Sequence, residues 1–190
     1  YTNNPEEQFG FVKKANDRGY DVLHLDGPLA PHWIAKMEQS NENVQFARVD
    51  ADTLDKLIQK DEEIPSKLTQ EDEDKLKPMF ENVVNKEKFT VQFESMNADD
   101  APVIITQPEF IRRMMEQQRM GGGGYMAAFP EMHNLVVNSN HDKVNAILNT
   151  KTKKSQERKI KQLTDIALLS QGMLKGEELN KFIERSIELI

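Results

Sequence analysis

The sequence predicts an α+β protein in two parts, and three observations lead to that prediction. Helix and strand patterns alternate through the first third of the chain, which is typical of a small α/β unit. Three short β-rich segments then occur among helices, and two amphipathic helices come last. A charged stretch that contains a proline, residues 61–69, separates the first pattern from the others. We therefore expect one part over residues 1–62 and a second over residues 66–190.

Helices and strands of the first part can be placed from local signals. Pro5 suits the first turn of a helix and Gly19 suits the position after its end. Helix patterns cover residues 5–18, 31–39 and 52–60. Strand patterns cover residues 21–25 and 44–49. A strand, a crossover helix and a second strand would form a small parallel α/β unit.

The second part is predicted to begin with a helix that Thr69 caps. Three carboxylates follow Thr69 closely, and they favour the positive end of the helix dipole. Alternating or continuous apolar residues then predict strands over residues 88–94, 102–106 and 134–138. We expect these strands to form a small, mainly antiparallel sheet that is covered by helices.

The last two predicted helices, residues 155–173 and 177–190, each have an apolar face. Their large apolar residues recur at steps of three and four. The candidate interface residues are Ile160, Leu163, Ile166, Leu169, Leu179, Phe182, Ile183, Ile187 and Ile190. These faces can pack on their own domain or form half of a four-helix bundle with a second copy. Burial of each large apolar side chain contributes roughly 1.5–3 kcal/mol, so a handful per subunit suffices for a dimer.

A methionine-rich helix is predicted over residues 108–120, and four glycines follow it at residues 121–124. One interpretation is a core helix; the other is an exposed surface whose adaptable thioethers accept varied partners. The glycines lack the Lys and Ser or Thr of a phosphate loop, so we interpret them as a flexible tether. Trp33, the only tryptophan, is either a core residue or a binding hot spot. The helix residues in question are Phe110, Met114, Met115 and Met120.

Composition disfavours several classes of function. The chain contains no cysteine, which excludes disulfides and thiolate metal sites. Its net charge of −7 disfavours nucleic acid as a partner, and no apolar run is long enough to span a membrane. The four histidines are scattered, and no serine stands in a nucleophile elbow. We predict no catalytic residue, no metal site and no cofactor in this segment.

Several segments resemble the ninety-kilodalton heat-shock chaperone family. Residues 15–33, beginning ANDRGYDVL, and residues 46–50 (FARVD) are similar to the distal end of the family's middle domain and the stretch leading out of it. Residues 102–115 (PVIITQPEFIRRMM), 134–141 (NLVVNSNH) and 167–172 (ALLSQG) are similar to successive parts of its C-terminal domain. These segments occur in the family's order over nearly the whole chain. The tetraglycine and the FIRRMM run look most like bacterial members from the Bacteroides group.

The resemblance implies that residues 1–62 are the distal end of a middle domain and residues 66–190 a C-terminal dimerisation domain. It implies a cytoplasmic homodimer held by the last two helices. It also implies a parent ATPase that binds ATP and magnesium in an N-terminal domain absent from this chain. Unfolded or partly folded client proteins are then expected to contact Trp33, Phe110, Met114, Met115 and Met120.

Two departures and two alternatives accompany this prediction. Gln117 and Gln118 stand where certain relatives have apolar residues, so the client face is expected to be narrower. The chain ends at Ile190 without the acidic tail of cytosolic eukaryotic members, which favours the bacterial type.

The first alternative is a purely structural oligomerisation module whose methionine-rich helix is buried. The second is a small-molecule enzyme that uses an unrecognised pair of carboxylates.

Overall fold

The computed structural model describes residues 1–58, 64–120 and 131–188, and they form an α+β structure, as predicted. Helices α1 to α4 precede the first strand, and α5 lies between the second and third strands. The helices are α1 (Phe9–Asp17), α2 (Ala30–Ser40), α3 (Leu54–Leu57), α4 (Gln70–Glu81), α5 (Glu109–Met120), α6 (Asp142–Leu148), α7 (Lys153–Ser170) and α8 (Gly176–Ile187). The strands are β1 (Phe89–Glu94), β2 (Val103–Thr106) and β3 (His133–Asn138). Among the described residues, no helix is long and apolar enough to cross a membrane.

Local chemistry explains where the long helices begin and end. Thr69 caps α4 as predicted, because its hydroxyl accepts a hydrogen bond from the Asp72 amide and the Asp72 carboxylate accepts one from Thr69. Gly172 adopts φ +63° after the end of α7. The amides of Gly172 and Met173 donate to carbonyls of the last turn at 3.0 and 2.8 Å, which is a Schellman motif. The loop to α8 therefore leaves α7 in a defined direction.

The sheet has the strand order β1-β3-β2 and is mixed. β1 pairs with β3 in parallel, from Phe89 opposite His133 to Glu94 opposite Asn138. β2 pairs with β3 antiparallel. The predicted small sheet is confirmed, but only one of its two pairings is antiparallel. Parallel neighbours need a long connection, and residues 95–132, which include β2 and α5, supply it.

The core lies where α4, α6 and α7 cover this sheet. Apolar side chains from each element are fully or nearly fully buried together. They include Leu76 and Phe80 of α4, Val91, Leu135 and Val137 of the sheet, Val144 and Ile147 of α6, and Ile160 and Ala167 of α7. The sheet thus fixes α7, which in turn carries α8.

The first part contains the three predicted helices, two of them shorter than predicted and α2 slightly longer, but the two predicted strands were wrong. Neither residues 21–25 nor residues 44–49 form a strand in the structure; Thr2 and His24 form an isolated bridge. Both segments are instead hydrogen-bonded to Tyr1 and Thr2, which lie between them. The four backbone bonds, each 2.8 Å, are Thr2 N to Leu23 O, Leu25 N to Thr2 O, Tyr1 N to Ala47 O and Val49 N to Tyr1 O. Pairing with two residues is too short a ladder to be a strand.

Candidate functional surfaces

Helix α5 presents an apolar edge outward. Phe110 is 70% exposed, which is unusual for so large an apolar side chain. Met114 and Met115 are half-buried, and Gln107 Nε2 lies 3.9 Å from Met115 Sδ. The side chain of Met120 lies outside the described part of the structure. The helix is therefore neither a buried core helix nor free of contacts: it is attached along one face and open along the other.

The attached face of α5 is held by Arg113. Its guanidinium donates to both Glu38 carboxylate oxygens, at 2.7 and 2.9 Å, and to the Phe46 carbonyl at 2.7 Å. It also donates to Glu109, one turn earlier, at 2.8 Å. The hydrogen bonds from Arg113 lower the pKa of Glu38, and those to Glu38 raise the pKa of Arg113. Both groups are thus held in their charged forms.

Arg112, the neighbouring residue, is buried on the same side of α5. Its side chain is 6% exposed and forms ion pairs with Glu109 and Glu116. The centre of its guanidinium lies 5.7 Å from the centroid of the Tyr1 ring. Burial is the largest single influence and lowers the pKa of Arg112, but the hydrogen bonds with Glu109 and the nearby charges of Glu109 and Glu116 together outweigh it, so the pKa is raised. Burial also raises the pKa of the Tyr1 phenol to about 12.

Trp33 lies on α2 and is connected to α5 through Phe46. The Trp33 ring is 44% exposed and packs edge-to-face on Phe46, with the ring centroids 5.4 Å apart. The Phe46 amide donates to Glu38 at 2.8 Å, while its carbonyl accepts from Arg113. The sequence prediction named Trp33 and the α5 residues separately; the structure shows that one short network joins them.

The interface residues predicted in the last two helices differ widely in their exposure to solvent. Ile160 is fully buried in the protein's own core and Leu163 packs against it, so the structure removes Ile160 from the predicted interface. Leu179 and Phe182 are half-buried, and Ile190 lies beyond the described residues. The large apolar side chains exposed to solvent are Ile166 and Leu169 of α7 and Ile183 and Ile187 of α8.

Helix α8 is attached to α7 mainly by polar groups. Asp165 of α7 is fully buried, and its carboxylate accepts hydrogen bonds from Arg185 of α8 and, at 2.6 Å, from Lys161. Gln162 donates to Ser186 at 3.0 Å. These contacts leave Ile183 and Ile187 of α8 exposed to solvent. The hairpin therefore exposes four large apolar side chains, which we call its apolar surface: Ile166 and Leu169 of α7 and Ile183 and Ile187 of α8.

The sequence analysis missed the residues that hold these helices. Glu109 and Arg113, and likewise Lys161 and Asp165, stand four residues apart, and that spacing signals ion pairs within a helix. The pair between Glu38 and Arg113 spans 75 residues and has no such signal. Among the described residues, no group of three or more His, Asp or Glu side chains is placed to hold a metal ion.

Comparison with known proteins gives one consistent relationship, although no family model matches the chain. The chain is 30% identical to the chaperone protein HtpG of Bacteroides thetaiotaomicron and 31% identical to that of Porphyromonas gingivalis, each over 258 aligned residues. Both alignments cover the whole chain but 38% of the relative, in its C-terminal part. The aligned region is longer than the chain, so these relatives carry additional residues within it. The resemblance to bacterial chaperones of this family is confirmed.

Proposed function

Since the chain is similar over its whole length to the C-terminal part of bacterial HtpG chaperones, we propose that it is the dimerisation and client-contact region of an ATP-dependent chaperone. The observation that carries the proposal is the apolar surface of the α7–α8 hairpin. Ile166, Leu169, Ile183 and Ile187 all face solvent there, although the hairpin itself is firmly attached. An apolar patch of this kind marks an interaction site.

A second copy of the chain is the proposed occupant of this surface. In a twofold dimer the same patch contributes from both subunits, and two α7–α8 hairpins would form a four-helix bundle. Each buried aliphatic side chain contributes roughly 1.5–3 kcal/mol. Because the four side chains are already about half buried in one subunit, doubling them gives a favourable free energy comparable to the entropy lost on association.

Client contact is proposed for the exposed edge of α5 together with Trp33. Phe110 and Trp33 offer large apolar surface, and Met114 beside Phe110 adapts its shape easily. Unfolded and partly folded proteins expose varied apolar segments, so an adaptable surface of this kind suits them. Nucleic acid and membrane are not among the proposed partners.

The remainder of the proposal concerns the parent protein, of which this chain corresponds to a part. ATP and magnesium would bind in another domain, and this segment would contribute no catalytic group and hold no cofactor. Dimerisation at α7 and α8 would keep two arms at a high effective concentration, so that their closure around a client becomes intramolecular. We place this cycle of assisted folding in the cytoplasm.

Sedimentation equilibrium over a wide concentration range tests the dimer, with Ile183→Asp as the decisive variant. We expect a tight dimer whose dissociation constant rises at least about 100-fold in the variant, because a buried unpaired charge costs several kcal/mol. Leu29→Asp is the matched control, since Leu29 is an even more exposed aliphatic residue and lies in the first part of the chain. It should leave the dimer unchanged.

Two results would contradict the proposal. A wild-type chain that stays monomeric at every concentration would mean that the exposed hairpin surface has another occupant. An unchanged mass for Ile183→Asp, with dimerisation intact, would place the interface on a different part of the chain.

A further inference from the structure

We propose that the Glu38–Arg113 ion pair positions the client surface by holding α2 against α5, so that Trp33 and Phe110 act as one surface. The inference rests on the proposed client-contact function and adds the residues that assemble the surface. Glu38 and Arg113 touch no client themselves; they act through the two helices that carry Trp33 and Phe110.

The geometry of the Glu38–Arg113 pair fixes the relative orientation of the two side chains as well as the distance between them. Two guanidinium nitrogens of Arg113 meet the two carboxylate oxygens of Glu38 at 2.7 and 2.9 Å. A bidentate arrangement of this kind restricts the orientation of both groups, which a single contact does not. The Arg113 fork is also bonded to Glu109 of its own helix at 2.8 Å, which limits its rotation.

Glu38 connects the pair to Trp33. One Glu38 oxygen accepts from the Phe46 amide at 2.8 Å, and Arg113 donates to the Phe46 carbonyl at 2.7 Å. Phe46 is therefore held on both sides of its backbone, and its ring is the one on which Trp33 packs. A change at the pair therefore reaches Trp33 through Phe46 as well as along α2, which carries both Glu38 and Trp33.

Little apolar packing supports the two helices where the pair joins them. A cavity of about 200 Å³ lies between α2 and α5, lined by Pro31 and Ile34 on one side and by Arg112 and Glu116 on the other. Because this cavity leaves a gap between α2 and α5, the attachment of one helix to the other depends on polar contacts. Glu38 and Arg113 are 21% and 34% exposed, so dissolved salt can reach and weaken the pair.

The experiment uses Glu38→Gln and two readouts. Trp33 is the only tryptophan, so its fluorescence reports on this site alone. We expect Glu38→Gln to shift the Trp33 emission and to weaken binding of reduced, carboxymethylated α-lactalbumin, a permanently unfolded protein, by about tenfold. Added NaCl should move the wild type towards the variant in both readouts and should change the variant much less.

Three further variants separate positioning from general damage. Arg113→Lys keeps the charge without the planar fork, and we expect an intermediate emission shift and an intermediate affinity. Phe110→Ser should lower the affinity but leave the Trp33 emission unchanged, because it removes a contact surface and not the pair. Asp17→Asn removes an exposed ion pair with Lys13 on α1 and should change neither readout.

The outcomes distinguish the inference from the function on which it rests. If Glu38→Gln retains wild-type emission and affinity, the pair does not position the surface. If the wild type fails to bind the unfolded protein, the client-contact proposal is contradicted. The Trp33 emission of Glu38→Gln then still shows whether the ion pair fixes the position of Trp33. If Glu38→Gln unfolds the chain, Arg113→Lys takes its place, and unchanged readouts in that variant overturn the inference.

Discussion

Helices α5 and α8 are similar in length and in exposing apolar surface, but they differ in how they are attached to the rest of the protein. Each has 12 residues and is held to the protein through ion pairs, and each exposes large apolar surface, at Phe110 in α5 and at Ile183 and Ile187 in α8. The partners of α8 lie in α7, the helix directly before it, and centre on the fully buried Asp165. A principal partner of α5, Glu38, lies 75 residues away and remains partly exposed.

This difference suits the two helices to different roles. A helix paired with its immediate neighbour closes a short loop, which loses little entropy, and a fully buried carboxylate strongly disfavours any other arrangement. We expect α8 to form a rigid platform, as a permanent interface between copies requires. The partly exposed pair that holds α5 responds to solvent conditions, which suits a surface that meets varied partners.

The largest effect that tests this comparison is expected from Asp165→Asn. The amide would bring hydrogen-bond donors towards Lys161 and Arg185, and the chain should lose about 3 kcal/mol of unfolding free energy. Urea denaturation measures that loss. Because α8 would no longer be held in place, sedimentation equilibrium should also show a weaker dimer.

Glu177→Gln is the matched control for that experiment. Glu177 lies on α8 and pairs with Lys181 on the exposed side of that helix. We expect neither stability nor dimerisation to change. If Asp165→Asn were as mild as this control, the buried carboxylate would not be what makes α8 rigid.

A smaller effect is expected from Arg112→Met, the corresponding change in α5. Arg112 is nearly as buried as Asp165, and its loss leaves Glu109 and Glu116 without that partner. Glu109 retains Arg113, and Glu116 is partly exposed, so the loss should be only about 1–2 kcal/mol. Urea denaturation of both variants under the same conditions gives the comparison directly. A larger loss for Arg112→Met than for Asp165→Asn would reverse our view of which helix is the more firmly held.

Local signals in the sequence predicted much of the fold correctly. The cap at Thr69, the three β-rich segments and the amphipathic helices all appear, with shifts of a few residues at their ends. These features depend on neighbours within a turn or a strand, and such neighbours are visible in the sequence. The predicted strands of the first part failed because a strand also needs a partner of sufficient length, which the sequence pattern does not show.

The attachment of the helices was not predictable for a related reason. Apolar residues occur on more than one side of α7, so periodicity did not reveal that Ile160 faces the core while Ile166 faces solvent. Nor does the sequence show that Asp165, among many solvated carboxylates, is buried, or that Glu38 meets Arg113 from 75 residues away. Each of these facts depends on tertiary packing. The apolar candidates were found from composition and spacing, while the polar residues that orient them were found only in the structure.

The smallest expected effect, and the one that separates the two apolar surfaces most cleanly, comes from pairing Phe110→Ser with Ile187→Ser. Both side chains are largely exposed, at 70% and 66%, so neither change should alter the stability of the isolated subunit by more than about 0.5 kcal/mol. Sedimentation equilibrium should show a weaker dimer for Ile187→Ser and an unchanged dimer for Phe110→Ser. Equal weakening by both would mean that α5 lies in the contact between copies, and its exposed edge would then not be free for a client.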